Sequence, residues 1–148
     1  MSYTSTTAHR ERDRLQSLVV PIGIATAVVS SVFTYLGAHG PGEYVSMIAL
    51  GVISAIVAYG WVVPRALRAD AAPKTAMTMS VIGALLTLPA FWTGLPLVLG
   101  GAGALVGYAG RGAAKGSGLS IAAMLIGVLS VLGYLTIYIV DGLIFGNL

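Results

Sequence analysis

The chain has 148 residues, of which 57% are hydrophobic and only 9% charged, far below the roughly one-quarter charged residues that cover a soluble domain. Its net charge of +3 comes from eight basic residues in three short clusters beside apolar runs, which excludes a nucleic-acid footprint. The absence of cysteine excludes disulfides, thiolate chemistry and Cys-ligated metals, and this length suits one domain.

Residues 1–14 are polar and of mixed charge, which predicts a short, unstructured cytoplasmic tail carrying Arg10, Arg12 and Arg14. A first apolar run follows over about Leu18–Gly37. At ~1.5 Å per residue it covers about 30 Å, one hydrocarbon thickness. It is longer than a signal-peptide core and has no Ala-x-Ala site after it, so an uncleaved helix is expected. Pro21 would fall in its first turn, where a missing N–H costs little.

His39-Gly-Pro-Gly-Glu43 has the composition of a turn. His39 and Glu43 alone do not make a metal site, which usually needs three or four ligands. The second span, about Tyr44–Val63, is expected to stop at Pro64, and Arg65–Lys74 forms the longest connection. Ala76–Trp92 and Leu95–Ala109 come next and are short, about 25 and 23 Å if helical. Thr93-Gly94 is the break between them, and Pro96 suits the first turn of a new helix. One unbroken helix here would move Arg111 and Lys115 to the opposite side from the other basic residues. A hairpin keeps all eight on one side, whether it crosses fully or is re-entrant. The last span is about Leu119–Val140.

The connections at His39 and Thr93 and the C-terminus carry no Lys or Arg. That alternation is the positive-inside pattern. The expected fold is an all-α integral membrane protein: a bundle of five transmembrane helices, or three spans plus a re-entrant hairpin at 76–109. The N-terminus is inside, the C-terminus outside, and residues 15–148 form a single transmembrane domain. Tyr35, Tyr44, Phe91, Trp92 and Tyr138 fall near the outer interface, and Trp61 and Tyr108 near the inner one, where amphipathic rings prefer to sit.

Small residues recur four apart in every span: Gly23 with Ala27 and Ser31, Gly51 with Ala55, Ser80 with Ala84, Gly100 with Ala104, Gly103 with Gly107, and Ala123 with Gly127. Such ridges let helix backbones approach, and packing within one bundle is favoured over a dedicated oligomer interface. Gly101–Gly107 lacks the strand and acidic residue of a dinucleotide fingerprint, and Arg111–Gly118 lacks the Walker spacing. The latter reads as a basic connector whose Arg111 and Lys115 touch anionic headgroups.

No Asp, Glu, Lys, Arg or His lies near a span centre, whereas ion-coupled transporters, proton relays and voltage sensors need such groups. The hydroxyls of Ser30, Ser31, Thr34, Ser54, Thr87, Ser130 and Thr136 can bond their own helix backbone.

A glycine-rich hairpin, the loop Arg111-Gly-Ala-Ala-Lys115-Gly-Ser-Gly118 and the span beginning Leu-Ser-Ile-Ala-Ala-Met-Leu-Ile-Gly-Val cover residues 75–140. This stretch resembles small bacterial multi-pass membrane domains of unknown function. The resemblance implies membrane location and nothing about activity, and it offers no catalytic residues to carry over. With a composition rich in Ala, Gly and Val, and Arg exceeding Lys, a bacterial cytoplasmic membrane is expected. The expected role is a non-enzymatic structural or accessory subunit without cofactor or metal. Its partners would be the bilayer and other membrane subunits or further copies of itself, with no nucleic acid. The competing class is a small homo-oligomeric pore former or transporter, including a holin-like protein, against which stands the lack of a charged C-terminal tail.

Overall fold

The computed structural model describes residues 3–37, 41–68, 72–112 and 115–145, and every regular element among them is helical. In chain order these are α1 (Tyr3–Gly37), α2 (Pro41–Val57), a π-helical turn (Ala58–Val62), α3 (Val63–Arg68), α4 (Ala72–Leu86), a 3-10 turn (Phe91–Thr93), α5 (Leu95–Gly110) and α6 (Ser117–Phe145). Three stretches are long and apolar enough to cross a membrane: Asp13–Leu36, Val45–Arg68 and Ser117–Asp141. Leu95–Gly110 is apolar but shorter.

Four boundaries differ most from the sequence expectation; besides these, α2 begins at Pro41 rather than Tyr44, so Pro41–Glu43 of the expected turn are helical, and α4 begins at Ala72 rather than Ala76. Helix α1 begins at Tyr3, so it takes in residues read from composition as an unstructured tail. No Gly or Pro interrupts the chain before Pro21. Extending a nucleated helix through Ala, Arg and Glu is cheap compared with starting one. Pro21 therefore lies in the interior of α1 rather than in its first turn.

Second, Pro64 does not stop the second span, because α2, the π turn and α3 form one continuous rod to Arg68. A mid-helix proline ring clashes with the carbonyl four residues back, here that of Gly60. The rod widens at that point: the Val63 N–H bonds the Ala58 carbonyl five residues back, the π-bulge solution to an obstructed ladder. The expected Arg65–Lys74 loop is correspondingly reduced. Arg65 and Arg68 close α3, where cations favour the helix C-terminus, and Lys74 lies in the first turn of α4.

Third, α4 ends at Leu86 rather than Trp92. Pro89 has no N–H with which to continue it. The chain turns through Thr87–Ala90 and the 3-10 turn, and Gly94 takes a left-handed φ of 71° before Pro96 enters the first turn of α5. Fourth, α6 runs past Val140 to Phe145. His39, residues 69–71 and 113–114 of the two basic connections, and residues 146–148 lie outside the described residues.

Contacts between helices set their directions. Gly83 lies against Gly100 and Ser80 against Gly103, so α4 and α5 are antiparallel. Gly107 meets Ser120 and Gly100 meets Gly127, so α5 and α6 are antiparallel too. Ser80 pairs with Ala123 and Thr87 with Ser130, so α4 and α6 are parallel. Gly23 lies against Tyr59 and Gly51 against Ser30, which makes α1 antiparallel to the α2–α3 rod. Each helix thus reverses the direction of the one before it. The start of α1, the end of α3, the start of α4, the end of α5 and the start of α6 share one end of the bundle. All eight basic residues belong to that end, while Glu43 and Asp141 belong to the other.

Candidate functional site

Helices α4, α5 and α6 close on one another through glycine. A Cβ added at Gly83 would stand 2.7 Å from the Gly100 nitrogen, and one at Gly100 would stand 2.9 Å from the Gly127 carbonyl oxygen. At Gly107 it would meet the Ser120 oxygen at 2.6 Å and the Met124 nitrogen at 2.7 Å. These are backbone atoms, so no rotamer change could make room. Where there is no hydrophobic drive between helices, such close approach gives dispersion contact along the whole seam.

Hydroxyls are set into the same seam. Ser80 Oγ donates to the Ala123 carbonyl at 2.7 Å, joining α4 to α6. Ser130 Oγ donates to the Pro96 carbonyl at 3.2 Å and lies 3.3 Å from Thr87 Oγ1, joining α6 to α5 and α4. Gly103 supplies space for the Ser80 side chain. Each cross-helix bond of this kind is worth about 0.6–2 kcal/mol in a bilayer.

The α1/α2–α3 pair is keyed onto this triad at two points. The π turn presents Tyr59, whose ring packs on Gly23 of α1 and whose hydroxyl donates to the Val98 carbonyl of α5 at 3.3 Å. Higher up, Ser30 of α1 fills the place where Gly94 has no side chain and also borders Gly51 of α2. Thr34 Oγ1 donates to the Trp92 carbonyl at 3.3 Å. The tip of the α4–α5 hairpin is therefore held by Ser30 and Thr34 of α1.

Beside that tip lies an aromatic cluster. Phe33, Tyr134 and Tyr138 meet with ring centroids 5.0–6.1 Å apart, and Phe91 joins Tyr138 at 5.7 Å, within the range of favourable edge and tilted contacts. Tyr138, expected as an interfacial ring, is turned inward instead, whereas Tyr35, Trp61 and Trp92 are exposed. Tyr134 is fully buried, and its hydroxyl, like that of Ser120, has no hydrogen-bond partner.

The eight small residues singled out from sequence distribute as follows. Gly103, Gly107, Ala123 and Gly127 come together in the α4–α5–α6 seam. Gly23 and Gly51 face Tyr59 and Ser30, Ala55 is buried in the core, and Ala27 is half-buried against it. Arg111 and Lys115 are exposed at the basic end. There the Arg111 guanidinium stacks 3.6 Å above the Tyr108 ring, with Nη2 donating to the Tyr108 hydroxyl at 2.8 Å. Arg65 stacks at 4.1 Å over Trp61.

Sequence reasoning missed the roles of Tyr59, Tyr134 and Ser120. A tyrosine well inside an apolar run was the available signal, because its hydroxyl asks for a partner that lipid cannot supply.

Chemically the interior offers hydroxyls and backbone carbonyls. Among the described residues the buried polar side chains are Ser, Thr and Tyr, with no buried charge, and no three of His, Cys, Asp and Glu are grouped as metal ligands. A shallow depression of about 290 Å³, lined by Ala84, Thr87, Leu88, Ile126, Leu129 and Ser130, opens sideways on the α4–α6 face. Comparison with protein-family models, curated proteins and solved structures yields no match.

Proposed function

We propose that this chain is a non-enzymatic, multi-pass membrane protein acting as a structural or accessory subunit of a membrane complex. The single observation that carries this reading is the backbone-to-backbone closure of α4, α5 and α6 along Gly83, Gly100, Gly107 and Gly127. It closes those three helices directly on one another, and the interior hydroxyls of Ser80 and Ser130 donate across to a neighbouring helix. A rigid, chemically quiet bundle with wide apolar faces suits a component that positions other membrane segments.

The orientation we propose puts the basic end in the cytoplasm, in keeping with the positive-inside rule, and the composition rich in Ala, Gly and Val, with Arg exceeding Lys, supports placing it in a bacterial cytoplasmic membrane. We further propose five crossings, with the N-terminus inside and the C-terminus outside. In support, the hairpin tip packs against Tyr138 on α6 and Thr34 on α1. Those residues lie one turn or less from the ends of their apolar stretches at Asp141 and Leu36. The turn closes its own polar groups, with Ala90 N–H on the Leu86 carbonyl and Thr93 Oγ1 on the Ala90 carbonyl. Its exposed Leu88 and Trp92 suit the outer interface.

Two experiments test these points. Extraction in native-lipid nanodiscs followed by mass spectrometry should recover a stoichiometric second membrane protein. Recovery of the chain alone as a defined homo-oligomer that passes ions in liposomes would replace this reading with the pore-former one. For topology, the cysteine-free chain accepts single probes. Ala90→Cys should react with an impermeant thiol reagent from the side opposite Lys115→Cys. An Ala90→Cys shielded from both sides would replace five crossings by three plus a re-entrant hairpin.

A further inference from the structure

We infer that the start of α4 and the α5–α6 connection together form a docking surface for the phosphate headgroups of anionic phospholipids, carried by Lys74, Arg111 and Lys115. The inference rests on the membrane reading above and adds a ligand class and a location to it.

The three cations are distant in sequence from one another or separated by a turn, and the fold gathers them. Gly116 takes a φ of 86°, which an L side chain rarely adopts. Its missing Cβ would stand 3.0 Å from Pro73 Cγ. That contact seats the α5–α6 connection directly on the first turn of α4. Lys74 and Lys115 are the chain neighbours of the two residues in contact, and both are exposed. Arg111 follows the last residue of α5, and its guanidinium is held over the Tyr108 ring by stacking and by the bond to the phenol oxygen. That pairing keeps the planar fork at the end of the helix, at the depth where a tyrosine ring favours the headgroup layer.

Space and charge agree. A Cβ at Gly112, next to Arg111, or at Gly118, in the first turn of α6, would meet nothing within 4 Å, so those two backbone positions beside the cations are open to an approaching headgroup. Guanidinium and ammonium donors are the groups that bind phosphate oxygens, Arg through its fork and Lys as a point charge. The occupant is a lipid rather than a soluble anion because the surface borders three apolar helices. A lipid can place its chains along them while its phosphate meets the cations.

The test uses the full chain in nanodiscs of mixed phosphatidylglycerol and phosphatidylcholine, with the lipids retained on the protein counted by native mass spectrometry. The wild type should enrich phosphatidylglycerol. Combining Lys74→Gln, Arg111→Gln and Lys115→Gln should abolish that enrichment, with a loss of about fivefold per cation removed. Combining Arg14→Gln, Arg65→Gln and Arg68→Gln removes the same charge from the same end and should leave most of it. Equal loss in both triple variants would overturn the site in favour of general attraction to the basic end. Should the triple variant fail to fold, exposed Lys115→Gln alone still has to lower enrichment. Displacement of phosphatidylglycerol by millimolar inorganic phosphate at constant ionic strength would also overturn it, since the surface would then be a free-anion site. A chain that does not enter nanodiscs at all would instead refute the membrane reading itself, which separates the two failures.

Discussion

Ser80 of α4 donates its hydroxyl to the carbonyl of Ala123 on α6 across 2.7 Å, spanning two parallel helices that α5 separates in sequence. Both residues are fully buried, so the bond cannot exchange with water. Gly103 and Gly127 make it available, because each leaves the space that the Ser80 side chain occupies. Ser80→Ala should therefore lower stability by about 0.6–2 kcal/mol, the range for cross-helix hydrogen bonds in membranes. Ser80→Val should cost more, since it adds bulk against Gly103 as well. Reversible unfolding in mixed micelles measures both. Equal stability of Ser80→Ala and wild type would mean that the bond contributes nothing.

Glycine substitutions should divide by what surrounds them rather than by helix propensity. Gly→Ala in an open helix position gains up to about 1 kcal/mol. At Gly60 nothing lies within 4 Å of the added carbon, so Gly60→Ala should be neutral or stabilising. At Gly100 the same carbon meets the Gly127 carbonyl and the Ser130 side chain at 2.9 Å. Separating two helix backbones to admit it should cost about 1–3 kcal/mol, as overpacking does. Thermal aggregation midpoints in one detergent would rank the two variants. Finding Gly100→Ala at or above the wild-type midpoint would contradict the packed seam.

Tyr59 should behave as a wedge whose ring outweighs its hydroxyl. The ring is buried between Gly23 and Gly101, and the hydroxyl makes one 3.3 Å bond to the Val98 carbonyl. Tyr59→Phe keeps the ring and should cost no more than about 1.5 kcal/mol. Tyr59→Ala empties the space where α1, the π turn and α5 meet and should cost about 3–5 kcal/mol, the usual penalty for truncating a large buried ring. Proteolysis of the α1 connection would report the loosening directly, with faster cleavage in the alanine variant alone.

The helical class, the three long apolar stretches and the existence of a hairpin break were legible because hydropathy and breaker residues act locally, although α4 already ends at Leu86. Thr93-Gly94 marked the break, and Gly94 does take the left-handed conformation there. The behaviour of Pro64 was not legible. A proline predicts an obstructed ladder but not whether the chain ends or widens into a π turn, which tertiary packing of Tyr59 decides. Hydroxyls show the same division. Ser31 and Thr87 bond the carbonyl four residues back in their own helix, as local chemistry suggests. Ser80, Thr34 and Ser130 instead reach across to another element. Four-residue spacing shows which face is small, but not which helix will lie against it. Gly103 and Gly107 therefore stood out as a ridge, and so did Ser80 with Ala84, but nothing in the spacing paired Ser80 with Gly103, and Ser120 did not stand out at all.

Tyr134 makes the sharpest test of how the core is held, because its ring and its hydroxyl pull in opposite directions. The ring packs against Phe33 and Tyr138, which stabilises the cluster. The hydroxyl is buried without a hydrogen-bond partner, and an unpaired buried group of this kind costs about 1–3 kcal/mol. Tyr134→Phe keeps the first contribution and removes the second, so the variant should be at least as stable as wild type and up to about 2 kcal/mol more stable. Tyr134→Leu loses the ring contacts and should be less stable than either. A Tyr134→Phe variant destabilised by more than about 1 kcal/mol, the worth of an ordinary buried hydrogen bond, would show that the phenol is bonded after all. The neighbouring hydroxyls of Ser30 and Tyr138 would then be the first partners to test by double-mutant cycle.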